Sequence, residues 1–186
     1  MFSNENKKQA DMCRFCWMCR HICPVAGATG SEGWGPRARG LMVSMIERGS
    51  AELDAEIAEA MYHCTMCDAC ANDCETGWKP TDFICEARMY CVANEVAPAA
   101  INTAIDNILT NGNIYGEALN EKLAARIEAL PETADVLVYI GQTGRCFGAD
   151  SAISFLNILD KAKVGYTTLK DEPPTGALLG DMMGMT

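Results

Sequence analysis

Eleven cysteines in a chain of 186 residues are the groups best able to do chemistry, and eight of them fall in two runs of one form. The runs are CRFCWMCRHICP, from Cys13 to Pro24, and CTMCDACANDC, from Cys64 to Cys74. Both read C-x2-C-x2-C-x3-C. Three thiolates at this spacing cap three corners of one iron–sulfur cubane, because a tight loop turns successive sulfurs inward. The fourth lies too far along its loop to reach the same cluster, and in two-cluster proteins it ligates the other one. The spacing therefore predicts two [4Fe–4S] clusters. Cys13, Cys16, Cys19 and Cys74 would hold the first, and Cys64, Cys67, Cys70 and Cys23 the second. A chain so equipped is expected to carry electrons, and no residue is assigned a catalytic role.

Other uses of these thiols fit less well. Zinc sites gather two C-x2-C pairs, separated by a longer loop, around one tetrahedral ion. A disulfide framework needs an oxidising compartment, and the segment MFSNENKKQADMC has no apolar stretch to direct the chain there. A cytoplasmic, reducing and oxygen-poor setting is expected. Pro24 follows the first run, whereas Glu75 takes that place after the second, a departure that leaves the ligand count intact.

Composition bounds the partners. The formal charge is −10 before any metal, and two oxidised clusters with their thiolates would bring it to about −14. Binding nucleic acid depends on neutralising phosphates with Lys and Arg, so nucleic acid is excluded as a partner. An acidic surface also simply keeps a protein soluble. No run approaches the roughly 18–20 apolar residues of a membrane span, so any membrane association would come through partners. With 49% hydrophobic residues the chain can bury one modest core or two small ones.

The segments around the cysteines read as helical. Gly35-Pro36 opens one helix, with Gly49 as its stop and Ala38, Leu41, Met42, Met45 and Ile46 as its apolar stripe. A second carries Leu53, Ile57, Ala60 and Met61, and Lys79-Pro80-Thr81 starts a third that runs to about Glu95. Pro98–Thr110 and Gly116–Leu130 are further amphipathic helices, joined by the turn at Asn111-Gly112-Asn113. Character changes after Pro131. Residues 134–140 (ADVLVYI) read as a strand covered on both faces, Gly141–Gly148 as a loop, Ala152–Leu159 as a helix and Val164–Leu169 as a second strand. That order makes one βαβ unit with a parallel pair. The expected fold class is α+β: a helical two-cluster domain over 1–130, then a small α/β module over 131–186.

From about residue 10 onward the chain resembles the iron–sulfur subunits that join an α-helical ferredoxin domain to cysteine-rich CCG domains. Heterodisulfide reductase subunits C and D, the C subunit of anaerobic glycerol-3-phosphate dehydrogenase, and the iron–sulfur subunits of glycolate and lactate oxidation complexes are of this kind. The resemblance implies a subunit that relays electrons between a flavoprotein partner and a further redox subunit of a larger oxidoreductase. Its tail is similar to the first half of a CCG domain without the cysteines. Gly141-Gln142 stands where that family has a glycine-cysteine pair, and Asp171–Gly176 precedes Leu179-Gly180-Asp181 where it has a CCG or CTG run. The tail then reads as a scaffold, a docking piece or a remnant. Two alternatives stay open: a catalytic subunit of disulfide-reductase type, and a structural subunit braced by its clusters.

The remaining residues have plainer readings. Cys85 and Cys91 suit small buried thiols, while Cys146 sits in a loop. His21 and His63 flank motifs already complete in thiolates. Phe15, Trp17 and Met66 are expected to shield the sulfurs from water, a recognised lever on reduction potential. Arg14, Arg20 and Lys79 read as surface charge. Gly27, Gly30, Gly33 and Gly35 have neither a preceding strand nor a following G-K-[ST], so they make no phosphate loop.

Overall fold

The structure, a computed structural model, describes residues 1–184. It is mainly helical with one two-stranded sheet, an α+β chain as expected. Two compact units are formed. The first joins Met1–Asn102 to the segment from Gly176 onward, and the second is Thr103–Thr175. The residue character changes near 130–134, but the packing divides earlier, within a helix. Among the described residues no helix is long and apolar enough to cross a membrane.

In the first unit the elements are α1 (Asn4–Ala10), α2 (Met18–Ile22), α3 (Pro24–Thr29), α4 (Pro36–Glu47), α5 (Ala55–Tyr62), α6 (Ala69–Asn72) and α7 (Pro80–Ala93). Proline at the first turn starts α3, α4 and α7, where its missing N–H costs nothing. Asp54 caps α5 by accepting from Ile57 N–H at 2.9 Å. The core gathers Phe2, Val43, Met61, Trp78, Phe83, Ile84 and Ala87 from the N-terminus, α4, α5, the segment before α7, and α7 itself. The buried face of α4 differs from the expected stripe. Pro36, Arg39, Gly40 and Val43 face inward, while Leu41 and Met45 are exposed. The reason is contact geometry: a Cβ on Gly40 would come 2.7 Å from the Trp78 ring, so only glycine admits that indole. A single π-helical turn, Leu178–Met182, packs on α7, and Tyr62 donates to Met183 O at 3.3 Å.

Helix α8 (Ala99–Asn111) runs across the division. The second unit continues with α9 (Glu121–Glu128), β1 (Val136–Val138), α10 (Gln142–Cys146), α11 (Ala149–Lys161) and β2 (Tyr166–Thr168). The strands pair in parallel, Val136 opposite Tyr166 and Val138 opposite Thr168. Residues 142–146, expected as loop, form a short helix. Leu123 and Ile127 of α9 pack with Leu156 and Tyr166, and Arg126 of α9 pairs with Asp160 of α11. This packing puts α9 with the α/β module, although its sequence reads like the helices before it. The strand is not covered on both faces as expected. Val138 and Ile140 face the core, but Leu137 is 56% exposed and Tyr139 44%. Alternate side chains of a strand point to opposite faces, and within this unit only one face has a helical layer.

Candidate iron–sulfur centres

Both cysteine loops are wound the same way. Phe15 and Trp17 flank Cys16 with φ of 56° and 70°, and Met66 and Asp68 flank Cys67 with φ of 54° and 58°. Left-handed backbone costs a non-glycine residue about 1–2 kcal/mol. Here it curls each loop about its second cysteine. The N–H groups of Phe15 and Met66 then donate to Cys13 Sγ and Cys64 Sγ, each at 3.4 Å. Cys19 lies in the first turn of α2 and Cys70 in that of α6. Cys23 caps the far end of α2, Cys74 follows α6, and the two helices pack on each other. Each short helix thus carries its fourth cysteine away from its own loop.

The result is two cavities. One is lined by Cys13, Cys16, Cys19 and Cys74, together with Arg14, Trp17 and Trp78. The other is lined by Cys64, Cys67, Cys70 and Cys23, together with Arg39, Asp68 and Thr81. The fold brings together the same sets of four that the spacing grouped. Among the described residues no three Cys, His, Asp or Glu side chains are disposed to hold a single metal ion. In a [4Fe–4S] cluster each thiolate holds a different iron, so the ligands ring a space and need not meet at a point.

The thiols sense one another within these sets and, through Cys19 and Cys70, between them. Burial, then Cys13, Cys16 and also Cys74, pushes the Cys19 thiol up to about 11. Burial, then Cys64, Cys19, Cys67 and Cys23, pushes Cys70 up to about 12. Four thiolates crowded together repel without a metal, and iron would reverse that by deprotonating them. For Cys74, burial opposes ionisation, but hydrogen bonds from the Thr76 hydroxyl and from the Thr76 and Trp78 N–H groups bring it below the ordinary thiol value. Cys23 Sγ accepts from Ala26 N–H at 3.5 Å.

Buried donors complete both cavities. Arg39 is 1% exposed; its Nε donates to Ala60 O at 2.6 Å, while its Nη2 has no partner. Trp78 is also 1% exposed, and its Nε1 has none either. An unmade buried hydrogen bond costs about 1–3 kcal/mol, and an uncompensated buried cation about 3–5 kcal/mol. Cluster sulfurs are acceptors and carry negative charge, so the residues present fit such a group. Arg88 holds the second loop from behind, donating to Cys64 O at 2.6 Å and Met61 O at 2.9 Å. Thr81 donates to Asp68, which fixes the left-handed residue after Cys67.

Other expected residues fall elsewhere. Trp17 lines its cavity, with the Arg37 guanidinium 4.0 Å over its ring, but Phe15 is 54% exposed and Met66 packs on the core. Neither of these two lines a cysteine cavity: the left-handed turn leaves Phe15 in solvent and sets Met66 against the core. His63 lies against Trp34 and Glu59, and Cys91 is buried among Ala58 and Ala97. Cys85, Cys91, His21 and His63 line neither cysteine cavity. Arg39, Trp78 and Arg88 were missed by sequence reasoning: Arg39 and Arg88 lie inside helices with no local signal, and Trp78, four residues after Cys74, reads as an ordinary core aromatic.

The second unit has a cavity of about 560 Å³ lined by Gln142, Cys146, Glu172 and Pro173 among others. Two segments where the resemblance expects cysteines thus meet there without them. Glu172 accepts from Ile140 N–H at 2.8 Å and Gly141 N–H at 2.5 Å, and Gln142 accepts from Ile114 N–H at 2.9 Å. Burial, then Glu117, pushes the Cys146 thiol up.

Residues 9–78 match the family described as the 4Fe-4S dicluster domain. No curated protein matches the chain. No solved structure matches it either. The matched segment spans both cysteine loops and ends at Trp78.

Proposed function

We propose that this iron–sulfur protein of ferredoxin type relays electrons through two [4Fe–4S] clusters, as the iron–sulfur subunit of a multi-subunit oxidoreductase. A flavin-containing partner stands on one side of the relay and a further redox subunit on the other, in a reducing, cytoplasmic setting. Bound clusters supply one-electron redox chemistry with no proton or leaving group to manage. The chain's own residues do the rest. Cys13, Cys16, Cys19 and Cys74 hold one cluster, and Cys64, Cys67, Cys70 and Cys23 the other. Arg88 and Thr81 fix the second loop, and Trp17 and Trp78 limit water at the first site.

The observation that carries this reading is the pair of cavities, each ringed by three cysteines of one run and the fourth of the other. The match of residues 9–78 to a dicluster family supports it. The open strand face at Leu137 and Tyr139 supports a docking role for the second unit. Disulfide-reductase catalysis has less support, because Cys146 is that unit's sole cysteine and its thiol is pushed up, away from the thiolate.

Chain purified anaerobically should contain about eight iron and eight sulfide. After dithionite reduction it should give spin-coupled paramagnetic resonance signals from two neighbouring centres, and a flavoprotein should copurify with it. Stoichiometric zinc with little iron would reject the reading.

A further inference from the structure

The two cavities match in their cysteines and differ in the donor each presents. At the cavity of Cys64, Cys67, Cys70 and Cys23 the donor is a cation, Arg39 Nη2. At the cavity of Cys13, Cys16, Cys19 and Cys74 it is a neutral indole N–H, Trp78 Nε1. Among the described residues only one other buried side-chain polar atom lacks a partner, Thr168 Oγ1, and it belongs to the other unit. None of the ion pairs formed by the described residues includes Arg39. Arg39 is 1% exposed, donates to the Ala60 carbonyl at 2.6 Å, and lines the cavity in which a polyanion would answer its charge.

The charges around the first cavity work differently. Arg14, Arg37, Asp73 and Glu75 all line it, two of each sign, and Arg37 is paired with Glu32. Arg14 is exposed, so water and salt screen it. The second cavity has Arg39 inside the protein, and Arg88 adds a further buried guanidinium on the carbonyl of Cys64. Its one carboxylate, Asp68, is engaged by Thr81.

We propose that Arg39 and Trp78 each donate to sulfur of the cluster in their cavity, and that Arg39 gives the Cys64, Cys67, Cys70 and Cys23 site the higher reduction potential of the two. This rests on the reading that both cavities hold [4Fe–4S] clusters. Reduction adds one negative charge, taken from a one-electron donor such as a reduced flavin, and breaks no bond. A fixed buried cation stabilises that added charge more than a neutral dipole does, because the interior screens it weakly. Electrons given to the chain therefore come to rest beside Arg39, and the site beside Trp78 is the lower-potential one.

The test is an anaerobic redox titration followed by paramagnetic resonance. It uses the full cluster-loaded chain as wild type, Arg39→Met, Arg39→Lys and Trp78→Phe, with iron and sulfide measured on each sample. Wild type should titrate in two separated steps. Arg39→Met should move the upper step to more negative potential and leave the lower one in place. Arg39→Lys, which keeps the charge, should move the same step by less, and it serves alone if the Met variant loses its clusters. Trp78→Phe should lower only the lower step. An upper step unmoved in the Arg39 variants, or a shift of the lower one in its place, overturns the proposal while leaving the cluster reading intact. A wild-type chain without two clusters overturns the cluster reading and the proposal with it.

Discussion

Phe15 and Met66 hold the same left-handed backbone conformation, φ 56° and 54°, each two residues past the first cysteine of its loop. Each turns its N–H onto that cysteine's sulfur at 3.4 Å. The repeat therefore lies in backbone shape as well as in cysteine spacing. Neither residue is glycine, so both loops carry strain that bound metal would repay.

That strain makes a prediction. A β-branched side chain tolerates positive φ worse than methionine does, so Met66→Ile should strain this loop further. The measurable effect is faster iron loss to a chelator from the site of Cys64, Cys67 and Cys70. Met66→Gly, which is free to adopt this conformation, should retain iron at least as well as the wild type.

Gly40 and Trp78 make a second. With only 2.7 Å between a new Cβ and the ring, Gly40→Ala must displace the indole, at about 1–3 kcal/mol for overpacking. The backbone N–H of Trp78 also supports Cys74. Thermal stability should fall, and iron should be lost first from the site that contains Cys74. Equal iron retention at both sites would separate Trp78 from that site.

Cys91 supplies a pH dependence. Burial, then opposing help from Arg88, leaves its thiol raised from 9.0 to about 11. The unfolded chain releases this proton first, so the stabilisation is complete below pH 9 and is lost as pH rises toward 11. Cys91→Ala should flatten that alkaline decline in a denaturant series and leave iron content unchanged. Cys91→Ser should lower stability by about 1–3 kcal/mol through its buried hydroxyl.

How much of this could be read from the sequence depends on how local each signal is. The two cysteine loops were legible because each carries the same short-range spacing, and spacing decides which sulfurs a tight loop can turn inward. Helices α4 and α7 were legible from Pro36 and Pro80. The inward face of α4 was not, because Arg39 and Gly40 look polar or neutral until Trp78, some forty residues on, is packed against them. The division after Asn102 was hidden for a similar reason. Leu123 and Ile127 give α9 an ordinary amphipathic stripe, and only packing reveals that the stripe meets Leu156 and Tyr166. The parallel pairing of β1 with β2 was legible, whereas the open face at Leu137 depends on how many layers the fold supplies.

The crossed pairing of the cysteines is the central claim, and iron counting in a chain stripped of one loop tests it most directly. Replacing Cys13, Cys16 and Cys19 together with Ala should leave one cluster, about four iron per chain. Adding Cys74→Ala to that variant should change nothing, because Cys74 would have no cluster left to serve. Adding Cys23→Ala should remove or cripple the cluster that remains. The reverse pattern, with iron lost on removing Cys74 and kept on removing Cys23, would contradict the account.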